Sequence, residues 1–174
     1  KESNLPFSAF LGGIAENCKS NFLFNGSEIS VVEADEYDRS FLNLSPDWAA
    51  ITSTDADHLD IYGDKATIEQ GFRDFANLVP SDQQLFVRKG INIGRPTKTY
   101  AVNEEADYYS DNIREIGDKI YFDFHTPKEE ISDFVWEIPG IHNVENATVA
   151  IAILNNLGVD FETLKRGIAN FKGI

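Results

Sequence analysis

The sequence has 174 residues, 42% of them hydrophobic and 25% charged. This describes a globular domain and excludes a disordered tail, a coiled coil and a collagen-like chain. Twenty-nine acidic against 15 basic residues leave a formal charge of −14, which argues against nucleic-acid and anionic-membrane partners. Arg88-Lys89 is an isolated basic pair. An anionic ligand would therefore need a metal ion, a helix N-terminus or further chain to offset this charge. The lone Cys18 excludes an internal disulfide. No apolar run approaches the roughly 20 residues that span a bilayer. The chain contains no Met, even at position 1, so we expect a piece of a longer protein.

In chain order, Ile29–Ala34 is a short β-branched run that ends in acids and predicts a buried strand. Trp48–Thr52 predicts another buried strand, also ending in a polar cluster. Ile68, Phe72, Phe75 and Leu78 recur at helical spacing, and Pro80-Ser81-Asp82 stops that helix. Gln84–Arg88 predicts a third strand. Strands alternating with a helix favour an α/β fold with a mostly parallel sheet flanked by helices. From Thr99 to Glu137 the pattern changes. Tyr108–Ser110, Lys119–Phe124 and Phe134–Ile138 predict short strands, with turns at Gly117-Asp118 and Pro127-Lys128. This predicts a small additional antiparallel sheet beside the main one, with His125 on its surface. Asn143–Leu157 predicts a helix ended by Gly158, and Asp160 predicts the cap of a last helix, Phe161–Phe171.

Three polar clusters fall at element ends. Glu33-Ala34-Asp35-Glu36 follows the first strand, where open α/β sheets bind ligands. Its hard oxygen donors suit Mg²⁺; a solvated acidic turn is the alternative. Thr52–Asp60 follows the second strand and carries His58 between carboxylates. Those carboxylates would raise its pKa or orient it as a ligand; a capped loop with an incidental His is the alternative. In Gly140–Asn146, His142, Asn143 and Asn146 lie three and four apart, on one side of a helix start. Amide side chains there suit the edge of a base; ordinary capping by Asn143 is the alternative. No nucleophile set is visible, and there is no Gly-x-x-x-x-Gly-Lys-[Ser/Thr] phosphate loop.

Taken in order, Val32–Leu42, Asp57–Gly63 and Pro139–Ala147, with Phe10–Ile14 and Phe171–Gly173 at the two ends, resemble the Mur ligase family across nearly the whole chain. These are the ATP-dependent amino-acid ligases of peptidoglycan precursor synthesis. The resemblance implies the family's central ATP-binding domain over residues 1–174. The phosphate loop, the N-terminal UDP-sugar domain and the C-terminal domain would lie outside the chain, so these residues alone should not catalyse. It further implies an acyl-phosphate mechanism using ATP and Mg²⁺ in a cytoplasmic enzyme. Glu33 and His58 match the family's metal-serving residues. His142, Asn143 and Asn146 match the segment on the adenine side of the nucleotide. Asp35, Glu36 and Asp57 would support them.

Phe72 falls where branches adding later amino acids carry a carbamylated lysine. It therefore implies the branch that joins L-alanine to UDP-N-acetylmuramate. The murein tripeptide recycling branch is the nearest alternative, and Ala34, Leu59 and Tyr62 depart from its usual pattern. Two readings from other classes remain: a stand-alone metal-dependent hydrolase built on Glu33, Asp35, Asp57 and His58, and a binding module without chemistry. The exposed sheet edge of such a piece also leads us to expect self-association.

Overall fold

The computed structural model describes residues 2–55 and 64–174. The chain folds as β1 (Phe7–Ala15), β2 (Ser20–Phe24) and β3 (Ile29–Val32), a 3₁₀ segment (Tyr37–Asn43), β4 (Ala49–Ile51) and α1 (Lys65–Leu78). Then come a short 3₁₀ turn (Asp82–Gln84), β5 (Leu85–Arg88), β6 (Lys98–Val102), β7 (Tyr108–Ile116), β8 (Lys119–His125), β9 (Glu130–Trp136), α2 (Ile141–Asn156) and α3 (Phe161–Asn170). The main sheet has six strands in the order β4-β5-β6-β7-β8-β9. It is parallel from β4 to β7 and antiparallel from β7 to β9. A second sheet has the order β2-β1-β3.

Helices cover both faces of the main sheet. Phe86, Tyr100, Phe122, Phe124 and Phe134 form one core with Val144, Ile151 and Leu164 of α2 and α3. On the opposite face Leu85, Val87, Ala49 and Ile51 pack with Phe75 and Ala76 of α1 and with Phe41. Leu85, Phe86 and Val87 are all buried, in alternation between the two cores. That is why β5 reads as an unbroken apolar run.

Local chemistry explains the helix ends. Asp64 accepts the Thr67 N–H at 2.7 Å and starts α1. Asp160 accepts the Thr163 N–H at 2.9 Å and starts α3. Gly158, at φ +88°, ends α2 in the left-handed region, with the Val159 N–H returning to the Leu154 carbonyl at 3.0 Å.

The α/β class is as the sequence predicts, but several placements differ. The antiparallel strands are not a separate small sheet: β7 pairs with β6 as well as β8, so they extend the main one. The second sheet is built instead from β3 and two strands, β1 and β2, whose Gly12-Gly13 and polar residues obscured their pattern. The strand β3 is not buried, since Val31 and Val32 are 50% and 45% exposed. It lies at the edge of its three-stranded sheet. His125 is not a free surface residue: its ring stacks on Tyr109 with centroids 4.2 Å apart, and its Nε2 lies 2.8 Å from Asp111 Oδ1.

Candidate functional site

The C-terminal ends of the parallel strands β4 and β5 and the start of α2 meet at one edge of the main sheet. Their common edge is where α/β sheets place ligands. Glu33 directly follows β3. Its neighbour Ala34 packs against the core that holds Ile51 and Val87, which carries the acidic segment toward that edge. The Gly12 N–H donates to Glu33 Oε2 at 2.7 Å. The closeness explains the glycine: a Cβ at position 12 would lie 2.6 Å from Glu33 Oε1. Asp35 has a different task. Its carboxylate accepts the Tyr37 N–H at 2.9 Å, and its carbonyl accepts the Phe41 N–H at 2.9 Å. It turns the chain into the 3₁₀ segment, while Glu33 stays exposed and is held by the Gly12 N–H.

After β4, Ser53 Oγ donates to Asp55 Oδ2 at 2.7 Å and accepts the Asp55 N–H. Asp57 and His58 lie outside the described residues. In α1, Phe72 meets Phe41 edge-on at 5.6 Å. Phe72 is half-buried there against the core of Phe41, Phe75 and Ala76.

Gly140 precedes α2 with φ +104° and ψ 134°, a conformation that L side chains rarely adopt. A Cβ there would also meet His142 Cε1 at 2.6 Å, so the imidazole lies folded over the glycine. The helix begins at Ile141, which makes Asn143 an interior residue and not its cap. The Asn143 side-chain amide donates to the Pro139 carbonyl at 2.6 Å and secures the loop before the helix. His142 and Asn146 are exposed. Asn146 also lines a groove of about 510 Å³ with Leu11, Ala150 and Leu154. Through that groove Asn146 near the α2 start and Leu11 of β1 face a common space. Among the described residues no hydrogen bond joins Glu33 to His142, Asn143 or Asn146.

Sequence reasoning missed one contact at this edge. Arg88, the last residue of β5, places its Nε 2.8 Å from Glu145 Oε1 in α2. Beneath the pair, the fully buried Tyr100 directs its hydroxyl to the Ile51 carbonyl at 3.4 Å. Burial pushes the Tyr100 hydroxyl above its ordinary pKa, Glu145 adds to that, and Arg88 opposes it. The isolated Arg88-Lys89 pair was the available signal, but its partner lies 57 residues away.

Among the described residues no group of three or more His, Cys, Asp or Glu gathers to hold a metal. Glu33 offers a single carboxylate with Oε1 unengaged among those residues. One or two carboxylates completed by phosphate and water is the usual provision for Mg²⁺, so the donor chemistry fits that ion.

The fold defines an α/β domain with a mostly parallel main sheet and polar segments after its strands. The Mur ligase middle domain family matches residues 15–154, and the chain belongs to the Mur ligase family. It is 45% identical over its whole length to the UDP-N-acetylmuramate–L-alanine ligase of Christiangramia forsetii. It is 43% identical over 99% of its length to that of Flavobacterium psychrophilum. It spans 38% of the length of each of these relatives. The fold is shared with solved structures. One is the UDP-N-acetylmuramate:L-alanyl-γ-D-glutamyl-meso-diaminopimelate ligase of Neisseria meningitides, with TM-score 0.83 and 23% identity over 99% of this chain and 60% of that one. Another is the UDP-N-acetylmuramate–alanine ligase of Thermotoga maritima, with TM-score 0.82 and 23% identity over 97% and 39%.

Proposed function

We propose that residues 1–174 supply the nucleotide-binding middle domain of a cytoplasmic ligase that joins L-alanine to UDP-N-acetylmuramate in peptidoglycan precursor synthesis. The observation that carries this reading is the 45% identity, over the whole chain, to a relative of that name. ATP would convert the sugar's carboxylate to an acyl phosphate, and the amine of L-alanine would then displace the phosphate to form the amide.

The residues divide that work by position. Glu33, held by Gly12, and His58 would hold Mg²⁺. When bound, the ion supplies positive charge against phosphoryl oxygens, which this acidic surface otherwise repels. His142, Asn143 and Asn146 would line the adenine side of the nucleotide. Exposed imidazole and amide groups at a helix start can donate to and accept from a base edge. Phe72 takes up core space where a carbamylated lysine would need a polar setting, which supports the alanine-adding branch.

The test is product analysis by mass spectrometry, using the full-length gene product with ATP, Mg²⁺ and UDP-N-acetylmuramate. The reading expects UDP-N-acetylmuramoyl-L-alanine when L-alanine is the only amine offered. Product only with a tripeptide would move the protein to the recycling branch. Turnover without ATP would favour a metal-dependent hydrolase. No product and no nucleotide binding would leave a binding module.

A further inference from the structure

We propose that Arg88 is a positioning residue for nucleotide binding, acting through its ion pair with Glu145. The inference rests on the reading of His142, Asn143 and Asn146 as nucleotide contacts.

Among the described residues the start of α2 has few polar ties. Its N-cap, Gly140, offers no side chain, and no side-chain cap bond forms there. The Asn143 bond to Pro139 is local and reaches only the preceding loop. Val144, fully buried, seats the helix against the core, but apolar packing is non-directional. The Arg88–Glu145 contact at 2.8 Å is a directional tie between this turn and the strand ends. Its lever arm is favourable. On a helix, Glu145 lies one turn from His142 and 100° from Asn146. Anchoring Glu145 therefore fixes how both side chains are presented.

The sheet end of the tie is also well founded. Arg88 is the register partner of Tyr100, whose hydroxyl reaches the Ile51 carbonyl. Three strands thus back the guanidinium that holds the helix. Glu145 is only 21% exposed in its side chain, against 47% for Arg88, so the carboxylate has little freedom to seek water once paired. A partly exposed pair of this kind contributes little to global stability. Its consequence should therefore appear in the local geometry of nucleotide binding and not in whether the protein folds.

The experiment uses the full-length gene product and the variants R88A, E145A and the charge exchange R88E/E145R. H142A and N146A serve as references for the nucleotide reading. The readouts are KM for MgATP, KM for UDP-N-acetylmuramate, kcat, ADP affinity by calorimetry and melting temperature. R88A and E145A should each raise KM for MgATP about fivefold, with a matching loss of ADP affinity. Their kcat and their KM for the UDP-sugar should stay within about twofold, with the melting temperature close to wild type. The charge exchange should restore the nucleotide KM. Unchanged nucleotide KM in R88A and E145A, while H142A and N146A raise it, would overturn the positioning role alone. Unchanged values in all four single variants would overturn the nucleotide reading and this inference with it. A rise in R88A that E145A does not share, or that the exchange does not rescue, would also overturn it, because Arg88 would then act without Glu145.

Discussion

The backbone amide of Gly12 and the carboxylate of Glu33 meet at 2.7 Å across 21 residues of sequence. This joins the glycine pair of β1 to the acid that follows β3. A methyl group at position 12 would stand 2.6 Å from Oε1, so Glu33 must swing away to admit it. Gly12 and Glu33 are both exposed. Gly12→Ala should therefore leave stability within about 0.5 kcal/mol while lowering the Mg²⁺-dependent activity of the full-length protein by about tenfold or more. Steady-state rates across a Mg²⁺ titration, with urea unfolding alongside, check this. Unchanged activity at all Mg²⁺ concentrations would contradict it.

Gly140→Ala meets two obstacles at once: a φ of +104° and the His142 imidazole at 2.6 Å from the new Cβ. Backbone strain of this kind costs about 1–3 kcal/mol. The variant should lose that much stability by chemical denaturation, and its nucleotide affinity should fall because His142 can no longer fold over position 140. A variant with full stability and full affinity would show that neither constraint holds.

Asp123 is buried in β8, 6% exposed, and its carboxylate joins two irregular points in neighbouring strands. It accepts from Asn112 Nδ2 at 2.6 Å in β7 and from the Asp133 N–H at 2.8 Å in β9. Both partners have positive φ, at 48° and 61°. Burial alone would raise its pKa. The two hydrogen bonds, with Arg114 and His125, overcome that and hold the carboxyl below its ordinary value. A lowered folded-state value means the stabilisation is present above the unfolded value of about 3.9 and is lost as pH falls through the folded one. Asp123→Asn should cost about 1–3 kcal/mol at neutral pH, since one donor loses its acceptor. The difference from wild type should shrink below about pH 4. Urea melts at neutral and acid pH would reveal a constant difference if the account is wrong.

The three-stranded sheet turns an apolar face outward. Phe10, Phe22, Phe24 and Val32 are 51%, 46%, 71% and 45% exposed. Phe10 is the register partner of both Phe22 and Val32, and the two phenyl centroids lie 4.9 Å apart. Exposed apolar surface beside an edge strand promotes association. The isolated 174-residue chain should self-associate at micromolar concentrations in sedimentation velocity, and Phe22→Lys with Phe24→Lys should reduce that. A single monomeric species at all concentrations would contradict it.

Much of this architecture was legible because its signals are local. Pro80 closes α1, and Gly158 and Asp160 punctuate the last two helices, whereas the Asp64 cap of α1 was not picked out. The buried β5 announced itself because both of its faces enter cores. What escaped was non-local. Whether β7 to β9 form their own sheet or extend another depends on β6, whose Lys98-Thr99-Tyr100 pairs in register with β5. The exposure of Val31 and Val32 depends on which strands flank β3, not on their own side chains. His125 looked like a surface residue because Tyr109 and Asp111 reach it only across the β7–β8 pairing. The candidate site divides the same way. Glu33 and the His142–Asn146 turn stand out as short motifs. Gly12 and Arg88, which hold them, act over 21 and 57 residues, so the glycine pair and the isolated basic pair gave no local sign of what each would meet.

The most direct measurement of the central claim is ADP release by the full-length protein with Mg²⁺ and UDP-N-acetylmuramate, varying the amine offered. The account predicts release that requires L-alanine and is lost in both Glu33→Gln and His58→Ala. Release that proceeds equally without L-alanine, or that survives both substitutions, would contradict it.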